Sequence, residues 1–112
     1  MKPVIKVWCL PNWVESVYEG LFKEIVRCLV SIEEIQTEDD LLILFPPDRM
    51  AYGLGREIFI EIDWPNCPKN HDGPEILSRL INVVRGFCPR ASIIGKITYT
   101  SLKVNGIVID YK

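Results

Sequence analysis

The sequence lacks what marks a nucleic-acid or membrane protein. Lysine and arginine number 13 against 15 aspartates and glutamates, a formal charge of -2. No basic run interrupts that balance, and a surface that tracks phosphates must be positive, so neither nucleic acid nor anionic membrane is an expected partner. No apolar run reaches the roughly 20 residues that span a bilayer, and the first residues form a polar-interrupted stretch unlike a secretory leader. The expectation is a cytoplasmic protein. Histidine occurs once, at His71, and the four cysteines, Cys9, Cys28, Cys67 and Cys88, contain no Cys-x-x-Cys pair. Cys67, His71 and Asp72 share a loop, but a metal centre needs a further thiolate or imidazole there. A polar surface loop is expected, with no metal and no cofactor, and the cysteines read as core fillers in a reducing compartment.

What is present suits one folded domain over residues 1–112. Hydrophobic residues make up 48% and charged residues 25% of the chain, a balance that excludes disorder but leaves a small protein to gain from burying surface in an oligomer. Val4 to Leu10 carries apolar residues on both faces, with Ile5, Val7 and Cys9 on one and Val4, Trp8 and Leu10 on the other, and so predicts a strand covered on both sides. Asn12 with Glu15 three residues later reads as a helix start. Val14, Val17, Tyr18, Leu21, Phe22, Ile25, Cys28, Leu29 and Ile32 then predict an amphipathic helix over 14–31. An acidic linker over 33–40 leads to a short apolar strand, Leu41 to Phe45. Pro46-Pro47-Asp48 stops it, and Arg49 to Arg56 forms a glycine-bearing loop or hairpin.

The pattern then repeats. Ile58 to Trp64 predicts a strand with Ile58, Ile60, Ile62 and Trp64 facing inward and Glu61 and Asp63 facing away. Gly73-Pro74-Glu75 opens a second helix carried by Ile76, Leu77, Leu80, Ile81, Val84 and Phe87. Lys96 to Leu102 reads as a strand, and Asn105-Gly106 as a hairpin returning through Ile107, Val108 and Ile109. Leu10-Pro11 and Trp64-Pro65 lie 54 positions apart, and Leu41 and Lys96 lie 55 apart. The expected fold is therefore α+β, with two tandem β-α-β units over 3–56 and 57–112. They form a mixed four-stranded sheet with both helices on one face, plus short hairpin strands. Apolar residues on the other face, Val4 and Trp8 among them, need a cover that the chain cannot supply. Self-association follows, with trimeric closure one way to achieve it.

Pro3 opening the first strand, the uninterrupted first unit and the turn Tyr52-Gly53-Leu54-Gly55 together resemble the tautomerase superfamily, which includes 4-oxalocrotonate tautomerase and macrophage migration inhibitory factor. Pro47-Asp48, Met50 and Tyr52-Gly53 are similar to the corresponding loop of the migration inhibitory factor type. The resemblance covers most of Pro3 to Arg56 and extends to the second unit in layout only. It implies a homotrimer with pockets at subunit boundaries. It also implies a proline nitrogen that moves a proton between carbon and oxygen of a small carbonyl acid, its basicity lowered by an apolar pocket. Three departures bear on that activity. Lys2 is too large to favour removal of Met1, so Pro3 is expected to stay an amide; Trp13 stands where the diacid-binding member has an arginine after the first strand; and Leu41 stands where that member has its second arginine.

The residues to follow are thus Pro3 as base, or simply as the first residue of a strand. Two residues of extension reach about 7 Å, so Met1 and Lys2 can supply a substitute base or plug the pocket. Arg49 and Arg56 read as carboxylate binders or a solvated hairpin edge, Tyr52 as a pocket aromatic or packing, and Tyr99 as a hydrogen-bond donor to a carbonyl oxygen whose facing depends on register. Trp13 and Trp64 read as boundary packing. Three functions stay open: a tautomerase acting through an exposed Pro3, an inactive trimer binding a small anion or a protein partner at subunit boundaries, and a ferredoxin-like ligand-sensing domain.

Overall fold

The computed structural model describes residues 2–30, 32, 35–48, 54–65, 73–104 and 107–111, with side chains described as far as Tyr99. The strand, helix, strand order is present twice. Strand β1 (Val4–Trp8), helix α1 (Glu15–Leu29) and strand β2 (Leu42–Leu44) form the first unit; β3 (Glu57–Trp64), α2 (Gly73–Phe87) and β4 (Ser92–Val104) form the second, and β5 (Ile107–Tyr111) follows as a hairpin partner of β4. The sheet order is β2-β1-β3-β4-β5. Within each unit the two strands are adjacent and parallel, and the units meet through the antiparallel pair β1 and β3. In the ferredoxin-like alternative another strand separates the two strands that flank a helix. The observed order excludes it.

Alternation along the strands divides the sheet into two unlike faces. Ile5 and Val7 of β1 and Ile58, Ile60, Ile62 and Trp64 of β3 are buried, and they form one core with Leu21, Ile25 and Leu29 of α1 and Ile76, Leu80 and Val84 of α2. Both helices thus cover one face. The inward set of β3 is the one that its alternation predicts. Gly95 of β4 sits opposite Ile60, and a Cβ there would lie 2.7 Å from Leu77 Cδ1 and 3.0 Å from the Ile60 carbonyl oxygen. The missing side chain lets α2 approach the sheet.

A shift of 55 positions takes Leu21, Ile25 and Leu29 onto Ile76, Leu80 and Val84, and the same shift takes Ile5 and Val7 onto Ile60 and Ile62. It also takes Lys6 onto Glu61, and these two residues stand opposite each other in the β1–β3 ladder. The local twofold relating the two units therefore passes through a lysine and a glutamate. Two identical units would have set like charge against like charge at that position.

Several boundaries differ from expectation. Helix α1 has Val14 as its N-cap with no side-chain cap, so Asn12 does not cap it. The entry is fixed instead from within the helix. The Tyr18 hydroxyl donates to the Pro11 carbonyl at 2.6 Å and accepts the Trp13 N–H at 3.2 Å. A capping box does occur at Thr37 to Asp40, around a single 3-10 turn (Glu38–Asp40) in the acidic linker. Strand β4 begins at Ser92, four residues earlier than expected, because Ser92–Gly95 pairs with Glu57–Ile60. Leu10, expected on the uncovered face, is buried. Among the described residues no helix is long and apolar enough to cross a membrane.

Candidate functional site

Pro3 lies just before β1. Its ring is buried, and its carbonyl accepts the Leu42 N–H at 3.0 Å, the first rung between β1 and β2. Continuing the β1–β3 register by one step places Pro3 opposite Trp64, and Trp64 is paired with Tyr99 of β4. Pro3, Trp64 and Tyr99 therefore form one row on the helix-covered face at one end of the sheet. Two strand spacings separate Pro3 from Tyr99, about 10 Å, and Trp64, buried, fills the interval. A Cβ at Gly73 would collide with the Tyr99 hydroxyl and with Ile97 Cγ2, so the tyrosine reaches the first turn of α2. Its facing, which the sequence left open, is inward.

Arg56 is exposed and lies just before β3, where its carbonyl accepts the Ser92 N–H at 2.7 Å. That is the opposite end of β3 from Trp64, roughly 25 Å away along the strand. Within one chain Arg56 and Pro3 do not meet. Arg49 and Tyr52 lie outside the described residues, as do Cys67, His71 and Asp72. Among the described residues no cluster of three or more metal-ligating side chains occurs.

The Arg56 end has its own construction. Leu54 and Gly55 form a turn with positive φ, 38° and 82°, and Cys9 at the end of β1 also has positive φ, 69°. The Gly55 N–H donates to the Cys9 carbonyl, and the Leu54 N–H donates to Asp48 Oδ2 at 2.9 Å. Nearby, Trp13 packs against Tyr18 and Phe87 with ring centroids 5.4 and 6.1 Å away. Tyr18 in turn meets Phe45 at 6.0 Å. Trp13 is thus part of an aromatic cluster between α1 and α2.

Electrostatics at the Pro3 end centre on Asp40. Its carboxylate accepts the Gln36 N–H at 2.9 Å and the Thr37 N–H at 3.1 Å. These two bonds hold its pKa below the ordinary aspartate range against the opposing effect of desolvation, with a lesser contribution from the charge of Lys2. A depressed folded-state pKa means that the stabilisation is present above the unfolded value of about 3.9 and is lost as pH falls through the folded value. Asp40→Asn is expected to flatten the acid limb of the stability–pH curve, measured by urea unfolding between pH 2 and 5, and to leave the curve above pH 6 parallel to that of the unaltered protein. Burial pushes the thiols of Cys28 and Cys88 up, the former partly offset by Arg79, whereas a reactive thiol needs the reverse shift.

No protein-family profile matches the chain, and no curated protein matches it in sequence. Solved structures do match. A fused 4-OT, described as a wild-type asymmetric trimer, superposes with a TM-score of 0.66 at 11% identity over 94% of both chains. The macrophage migration inhibitory factor-like protein of Entamoeba histolytica does so at 0.65 and 9% identity, covering 96% of this chain and 98% of its own. MIF2 of Leishmania major gives 0.53 at 12% identity over 96% and 97%. With strand order, unit pairing and near-complete coverage agreeing, the chain has the tandem fold of the tautomerase superfamily, the family its sequence resembles.

Proposed function

We propose that this chain is a homotrimeric binding member of the tautomerase fold, assembled through the open face of its sheet, whose amino-terminal proline takes no part in chemistry. The observation that carries the reading is Pro3. With Met1 and Lys2 attached its nitrogen is a tertiary amide with no basic lone pair, its ring is buried and its carbonyl is committed to the β1–β2 ladder. A general base must carry a lone pair within reach of the proton that it takes. Pro3 and Arg56 lie at opposite ends of the sheet, about 25 Å apart along β3, which supports a pocket at a subunit boundary, where the Pro3 end of one copy faces the Arg56 end of another and a guanidinium is offered to a small carboxylate. Arg49, Tyr52 and Tyr99 are its further proposed lining residues. The trimer of the fused 4-OT supports the stoichiometry, the repeats are taken as 3–56 and 57–112, and the proposed location is the cytoplasm.

The test is the intact mass of the untagged protein alongside turnover of an enolisable 2-oxo acid. The full-length mass and no proline-dependent turnover are expected. A chain lacking Lys2 places proline directly after the initiator methionine, which is then removed, and supplies the free secondary amine for comparison. Loss of Met1 and Lys2 from the unaltered protein, with tautomerisation that drops about 100-fold or more in Pro3→Ala, would overturn the binding reading in favour of an isomerase.

A further inference from the structure

The face of the sheet turned away from the helices presents three rows. Leu42, Val4, Asp63 and Thr98 form the first, Leu44, Lys6, Glu61 and Lys96 the second, and Trp8, Phe59 and Ile94 the third. Large apolar side chains stand open on it: Ile94 is 65% exposed, Leu42 46% and Leu44 39%. Covering such a face means desolvating whatever polar groups lie among them, and each buried group without a partner weakens the association. The polar groups here are arranged around one residue. Glu61 Oε1 accepts the Trp8 indole N–H at 3.3 Å. Glu61 itself stands between Lys6 on β1 and Lys96 on β4, its cross-strand neighbours on either side. Asp63 lies in the adjoining row, and Glu57 is exposed at the rim.

We infer that Glu61 determines whether this face can be buried against a second copy of the chain, because its carboxylate satisfies the Trp8 indole and offsets part of the positive charge that Lys6 and Lys96, its cross-strand neighbours, bring to the face. The inference rests on the reading that the chain assembles through this face. It goes further by naming the residue that makes a mixed face fit to be covered. The lysine–glutamate pair on the local twofold gains a purpose: identical units would have brought two lysines or two glutamates to the middle of the interface. A second copy is the occupant because the three rows set two lysines, Lys6 and Lys96, against two carboxylates, Glu61 and Asp63, among six apolar side chains, whereas an acidic or basic partner would need an excess of one sign.

Sedimentation of the full chain over a dilution series tests it. The unaltered protein is expected to sediment as a trimer, and Glu61→Gln to dissociate at a concentration about 100-fold higher or more, with an unchanged far-ultraviolet circular dichroism spectrum, because one partner of a buried charge cluster has been removed. Lys6→Gln/Glu61→Gln/Lys96→Gln removes the cations as well and is expected to restore assembly to within about tenfold of the unaltered protein. A monomeric unaltered protein would overturn the assembly reading and this inference with it. A trimer that Glu61→Gln leaves equally tight would overturn the inference alone. If Glu61→Gln fails to fold, the triple variant decides: a folded monomer counts against the inference, a folded trimer for it.

Discussion

Ile60→Ala is expected to lower the unfolding free energy by about 4 kcal/mol, because the deleted carbons leave a cavity bounded by the sheet and a helix that cannot close independently. Ile60 is fully buried at the middle of β3, flanked by Val7 on β1 and Gly95 on β4. Gly95 is itself already a point of closest approach, with Leu77 above it. A domain of this size has about 5–15 kcal/mol in total, so the loss is a large share of the whole. Thermal unfolding followed by circular dichroism at one fixed protein concentration should show a midpoint lower by about 15 °C. A drop under about 4 °C would mean that α2 settles onto the sheet and fills the space.

Gly55→Val is expected to cost about 3 kcal/mol, from two separable causes: a β-branched residue forced to positive φ, and a side chain driven into a rigid ring. Gly55 has φ of 82°, and a Cβ there would collide with Cγ of Pro11. The proline ring cannot swing aside as the tip of a leucine can. Pro11→Ala removes the collision but not the backbone strain, so the double variant Pro11→Ala/Gly55→Val should recover roughly half of the loss relative to Pro11→Ala alone. Urea unfolding of the four proteins measures this. Full additivity would place the whole cost in the backbone.

Both predictions rest on features that the sequence revealed unequally. The helix-facing residues were legible, since Leu21, Ile25 and Leu29, and again Ile76, Leu80 and Val84, fall at helical spacing, and Ile58 to Trp64 alternates cleanly. The start of β4 was not, because Ser92 and Gly95 are weak strand formers in isolation and become strand only by pairing with β3. Asn12 looked like a cap, yet a tyrosine one turn inside α1 holds the entry, a contact that depends on how the loop folds back. The capping box at Thr37 was readable, since a threonine is followed three residues later by an aspartate. Its acidic surroundings concealed it. Of the site, the sequence and its family resemblance indicated which residues to watch. It could not indicate that Pro3 and Arg56 belong to opposite ends of the sheet, because that follows from the β1–β3 register, a tertiary property.

Strand β2 has only three residues, Leu42–Leu44, with the Thr37 turn shortly before it and Pro46-Pro47 shortly after. It is an outer strand of the sheet. A long, flat outer strand is a template onto which foreign chains add and from which fibrils grow. Three residues offer such a chain very few rungs, and two prolines, which donate no N–H, close the template at one end. The brevity of β2 therefore protects a protein rich in isoleucine strands from aggregating on that side.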